Sequence, residues 1–71
     1  MKTFGKVESF DGYNGYIKGV DGKEYLLMKK EIIPPVDLQV NDKVCFEPEY
    51  VETIEIQEDI ARFVKKLEKK S

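Results

Sequence analysis

Apolar and polar residues alternate along this chain in short runs separated by turn residues. Turn signals stand at Asp11-Gly12, Asn14-Gly15, Asp21-Gly22, Pro34-Pro35, Asn41-Asp42 and Pro48. The segments between them have strand length, the pattern of a small all-β barrel or sandwich. The first strand is expected over about Thr3 to Phe10, with Phe4 and Val7 turned to a core. A second is expected from about Gly15 to Val20 and a third from about Lys23 to Lys29. The Asp-Gly between them predicts a two-residue type I′ hairpin turn, whose central residues need positive φ. The segment IIPPVD lacks two amide donors and is read as a long crossing loop with Ile32, Ile33 and Val36 tucked beneath it. A fourth strand follows the Asn41-Asp42 turn over KVCFEPEYV, where Pro48 marks an edge or a bulge. Phe4, Phe46 and Phe63 are assigned to the core.

The last third supports two readings. Ile60, Phe63, Val64 and Leu67 recur at the spacing of one helical face. Glu58 and Asp59 would stand at that helix's positive end and Lys69 and Lys70 at its negative end. Periodicity and charge together favour an amphipathic helix, although alternation of Ala61, Phe63 and Lys65 could also serve a strand.

Length and composition narrow the chemistry. A chain of 71 residues makes one domain. Such a chain buries only about 60% of the surface its unfolded state exposes, so each apolar position counts. No apolar run approaches the roughly 20 residues that span a bilayer, and the first ten residues lack a leader's apolar centre. A soluble, cytoplasmic protein without membrane partners is expected. Cys45 is the only cysteine and histidine is absent. Zinc sites of Cys and His, and nucleophiles activated by His, are therefore excluded. Cys45 lies in an apolar strand segment and is read as a small buried hydrophobe. No acidic loop has the spacing of a metal site, and no glycine loop precedes a helix to cradle a phosphate. Neither an enzymatic activity nor a cofactor is expected.

The net charge of −2 conceals a division along the chain. Glu47, Glu49, Glu52, Glu55, Glu58 and Asp59 form an acidic stretch. Arg62, Lys65, Lys66, Lys69 and Lys70 make the end basic, and residues 66–71 are read as a basic tail.

The segments GKVESFDGYNGYIKG, DGKEYLLMKKEI, LQVNDKVCFEPE and ARFVKKL resemble, in order, those of the cold-shock domain. The resemblance covers nearly the whole chain through degenerate motifs. It implies a five-stranded OB-fold barrel that binds single-stranded RNA or DNA, with IARFVKKL as the fifth strand. Gly5, Lys6 and Val7 match the family's opening, and Phe10 the second member of an aromatic pair whose first is Ser9 here. Gly15, Tyr16 and Ile17 match the end of the first RNA-binding motif; the turn before them is shorter than in the family. In the second motif, Leu26, Met28 and Lys29 stand where the family has phenylalanine, histidine and phenylalanine. Val44 and Phe46 match buried positions of the fourth strand.

Bases stack on outward rings of such a barrel while basic side chains follow the phosphates. Which rings face outward depends on the hairpin's register. A two-residue turn would set Lys18 opposite Tyr25 and gather Tyr16, Lys18, Tyr25 and Leu27 on one face. The family alignment instead turns Tyr16, Leu26 and Met28 outward. The candidate site comprises Phe10, Tyr13, Tyr16 and Tyr25 as rings, Met28 as an apolar cover, and Lys6, Lys18 and Lys29 as phosphate contacts. The expected function is weak binding of single strands with little sequence specificity, by a monomer. The alternative is a protein-interaction module on an OB scaffold that has lost its nucleic-acid face, with Phe10, Leu26 or Leu27, and Met28 forming the patch.

Overall fold

The computed structural model describes residues 2–67. Five strands form a closed barrel: β1 (Thr3–Phe10), β2 (Asn14–Gly19), β3 (Glu24–Met28), β4 (Lys43–Glu52) and β5 (Gln57–Lys66). A 3-10 turn at Lys29–Glu31 follows β3. Around the barrel the order is β1-β2-β3-β5-β4. The β3–β5 contact is parallel, with Leu26 opposite Ile60, and the other neighbours are antiparallel. The expected all-β, OB-like barrel is what the chain forms. The helical reading of the C-terminal segment does not hold, because β5 is held as a strand between β4 and β3. The supposed tail begins inside β5, at Lys66. Lys69 and Lys70 lie outside the described residues.

Alternation explains the core. Val7, Ile17, Leu27, Val44, Phe46 and Val64 point inward and are almost wholly buried, together with Tyr25, Ile32, Leu38 and Ala61. Cys45 is also buried. Of the three phenylalanines assigned to the core, only Phe46 is there. Phe4 alternates outward from Gly5 and Val7 and is 51% exposed. Phe63 leaves the core through a bulge. Cys45 pairs with Lys65 but Glu47 pairs with Arg62, so Phe63 and Val64 together oppose Phe46. Phe63 takes φ 52° and turns outward, which lets Val64 enter the core.

The crossing loop also differs from expectation. Ile32 is buried, and its bridge to Val64 extends the parallel contact, with the Ile33 N–H donating to the Val64 carbonyl at 2.9 Å. Ile33 and Val36 are exposed, and Leu38 fills the space beneath the loop. The prolines rigidify a segment that crosses the surface, so only its flanks reach inward.

β4 and β5 outrun the barrel. β4 pairs with β1 only as far as Phe46, opposite Thr3, yet continues to pair with β5 to Glu52 opposite Gln57. Pro48 stands on this edge segment, where a missing amide donor is tolerated. The extension is a two-stranded ribbon closed by Thr53, whose N–H donates to the Ile56 carbonyl and whose Oγ1 accepts the Ile56 N–H at 2.9 Å. No described residues form a helix long and apolar enough to cross a membrane.

Candidate nucleic-acid interface

The β2–β3 hairpin decides which rings face outward. Tyr16 pairs with Leu26, Ile17 with Tyr25 and Lys18 with Glu24. This is the register that turns Tyr16, Leu26 and Met28 to one side. The turn is not the expected two-residue type I′. Gly19 N–H donates to the Lys23 carbonyl and Gly22 N–H to the Gly19 carbonyl, which leaves a three-residue loop with Gly22 at φ 86°. A type I turn followed by a left-handed glycine has that form, and the extra residue shifts β3 by one position.

Tyr25 is the casualty of that shift. It is only 4% exposed, and its ring lies against Phe46 with centroids 4.8 Å apart and planes tilted by 59°. A ring buried in this way cannot stack on a base, so Tyr25 leaves the candidate site. Its hydroxyl, the polar end that a buried tyrosine must satisfy, reaches Asp21.

Tyr16 keeps an outward position and is 46% exposed. Ser9 lies beside it on β1 and Leu26 on β3, and the three share an open depression with Phe10, Asp11, Asn14 and Gly15. Phe10 is half-buried and packs partly against the core. Leu26 and Met28 are half-buried as well, so the apolar surface that Phe10, Leu26 and Met28 can offer a protein partner is limited. Gly15 permits the close approach here, since a Cβ on it would overlap the Ser9 carbonyl oxygen and the Phe10 Cα.

Tyr13 rides on the β1–β2 turn. Asp11 Oδ1 accepts the N–H groups of Tyr13 and Asn14, both at 2.8 Å, and these two bonds, Asn14's first, hold the Asp11 carboxyl below its ordinary value. The Tyr13 carbonyl accepts the Lys29 N–H at 2.9 Å. The Lys29 ammonium lies 5.3 Å from the Tyr13 ring centroid, within reach of a cation–π contact. Tyr13 and Lys29 thus form a ring-and-cation pair at one end of the face, with Tyr13 the most exposed tyrosine.

The cations at the other end come from three strands. Lys6 stands opposite Lys18 on β2 and opposite Lys43 on β4. Side chains directly opposite one another lie about 5 Å apart at Cβ, and like charges so placed repel. Lys43 was absent from the sequence-based candidates. Its place opposite Lys6 follows from the β1–β4 pairing, and no local motif announces it. Phe4 is the next outward residue before Lys6 on β1, so an exposed ring and Tyr16 flank the lysine row.

Acidic groups temper the row. Lys18 pairs across the hairpin with Glu24. The Glu8 carboxyl is held above its ordinary value, first by a hydrogen bond with Glu24, then by desolvation and Glu24's charge, while Lys18 acts in the opposite sense. Protonation of Glu8 on acidification lessens the negative charge beside the lysines.

No protein-family model matches the chain, and no curated protein matches it significantly.

Proposed function

We propose that the outward face of β1, β2 and β3 binds single-stranded RNA or DNA weakly and with little sequence preference. The observation that carries this reading is the exposed Tyr16 ring one step along the sheet from three adjacent lysines, Lys43, Lys6 and Lys18. Repulsion among opposed ammonium groups costs stability that a bound polyanion offsets. Tyr16 and Tyr13 serve as stacking platforms, Leu26, Met28 and Phe10 as apolar cover, and Lys6, Lys18, Lys43 and Lys29 as phosphate contacts. Unpaired strands are favoured because only they present base faces to such rings. The likeness to cold-shock domains supports the same reading, through Tyr16, Phe10 and the outward register of Leu26 and Met28. A cytoplasmic setting accompanies it.

The test is titration of a labelled pyrimidine-rich oligonucleotide at low salt, followed by anisotropy and by tyrosine fluorescence. Saturable binding that weakens with salt and with Tyr16→Ala supports the proposal. A flat titration at high micromolar protein rejects it.

A further inference from the structure

The β4–β5 ribbon lies outside the face proposed for strand binding, and its surface is strongly acidic. Residues 47–61 hold six acids, Glu47, Glu49, Glu52, Glu55, Glu58 and Asp59, and no lysine or arginine. Beyond Glu49 and Ile60 no third strand among the described residues supports it. A two-stranded ribbon is marginal in water by itself, and this one also exposes Tyr50, Ile54 and Ile56. Ile54 sits at the apex with its side chain wholly in solvent. An apolar tip ringed by acids fits an apolar recess ringed by cations.

The same chain has that recess. Phe4, Val20 and Leu67 line an open apolar hollow whose floor is Gly5 and Gly19 and whose rim is Lys6, Lys18 and Lys43. Phe4 and Val20 are each more than half exposed. β4 begins at Lys43, on this rim, and runs ten residues to Glu52, beside the tip. At roughly 3.3 Å per residue that separates tip and hollow by about 30 Å. As a paired ribbon of that length it cannot place its tip in its own hollow, and any such engagement joins two molecules.

We infer that the protein self-associates head to tail, the Ile54–Ile56 tip of one copy entering the Phe4–Val20–Leu67 hollow of the next, with Glu52 and Glu55 meeting the lysine rim. With each tip entering the hollow of the next copy, the contact is heterologous and builds chains or rings. This differs from the monomer expected from the sequence. It does not depend on nucleic-acid binding, although Lys6 and Lys18 face both partners, so strands and tips compete.

The experiment uses nucleic-acid-free protein, sedimentation at rising concentration in low and high salt, and two variants. Ile54→Lys spoils the tip and leaves the hollow; Val20→Glu does the reverse. Both positions are exposed, and circular dichroism verifies that each variant folds, with Glu55→Lys as a second tip variant. The wild type is expected to grow beyond a dimer with concentration and to dissociate in salt. Each variant alone is expected to stay monomeric, and their equimolar mixture to form dimers only, through the one intact tip and one intact hollow. A wild type that stays monomeric to its solubility limit at low salt overturns the inference. So does association that survives either variant, or a variant mixture that remains monomeric.

Discussion

The Tyr25 hydroxyl donates a 2.6 Å hydrogen bond to Oδ2 of Asp21, the aspartate of the β2–β3 turn. The other carboxylate oxygen of Asp21 accepts the Lys23 N–H at 3.0 Å. One side chain thus shapes the three-residue turn and satisfies the polar end of a core ring. The two roles reinforce each other, because the turn's extra residue is what sends Tyr25 inward.

That bond makes stability depend on alkaline pH. Hydrogen bonding to Asp21, then burial and the charges of Asp21 and Asp59, raise Tyr25 from its ordinary value of 10.0 to about 12. Between these values the unfolded chain has lost the proton and the folded chain retains it. The stabilisation is complete below the lower value and is lost as pH rises through the upper one. Urea denaturation at a series of pH values should show this decline in the wild type and its absence in Tyr25→Phe. At neutral pH, Tyr25→Phe should cost about 1.5–3 kcal/mol, the range for a hydrogen bond to a charged group. The Asp21 carboxyl is lowered, chiefly by the same bond, so its contribution is present above its unfolded value and fades as acid approaches the folded one.

A second prediction concerns the bulge. Glu31 is buried, and its Oε1 lies 3.2 Å from Arg62 Nε and accepts a long, 3.5 Å bond from the Phe63 N–H. Arg62 Nε has no well-aligned hydrogen bond, so the Glu31–Arg62 contact is an ion pair more than a directed bond. Arg62 Nη1 reaches Glu49 at 2.9 Å. Glu31→Ala removes the charge that faces the bulged backbone and leaves Arg62 its contact with Glu49. With Arg62 partly solvated, a loss of about 2 kcal/mol is expected, below the 3–5 kcal/mol of a fully buried pair. Glu31→Gln should cost less. Chemical denaturation measures both.

Gly15→Ala should be more damaging than any loss of a surface charge. The new methyl meets backbone atoms of Ser9 and Phe10, which have no rotamer by which to yield. β1 and β2 must move apart around the Tyr16 pair, with an expected loss of about 3 kcal/mol or more. Thermal unfolding followed by circular dichroism tests this, and Gly12→Ala separates backbone strain from steric overlap. Gly12 lies at φ 100° but a Cβ there meets nothing, so its cost should be about 1 kcal/mol.

For the proposed strand binding, Tyr16→Ala should weaken an oligonucleotide about tenfold or more, since a stacked base contributes roughly 1–3 kcal/mol. Lys43→Gln should weaken it without regard to sequence and reduce the salt slope by about 0.7. Tyr25→Phe should leave affinity unchanged, because that ring lies in the core. Anisotropy titrations across a salt series distinguish the three.

Local chemistry by itself accounts for part of this protein. Glycine and proline punctuation delimits the strands, and alternation places Val7, Ile17, Val44 and Phe46 inside, because a side chain's face depends only on its parity within a strand. The outward position of Tyr16 is legible in the same way. Long-range pairing governs the rest. A single residue in the Asp21–Gly22 turn reverses every face of β3, and no local preference separates a two-residue loop from a three-residue one there. Phe63 shares its periodicity with a helix, and only the barrel's closure makes its segment a bulged strand. Lys43 joins Lys6 and Lys18 because β1 and β4 are neighbours in space though far apart in the chain. The amino-acid sequence alone determined the extent of the first four strands and the inward turn of Val7, Val44 and Phe46, since these follow from local punctuation and parity. Register, closure and the meeting of distant charges were decided by tertiary structure, since they depend on which strands find each other.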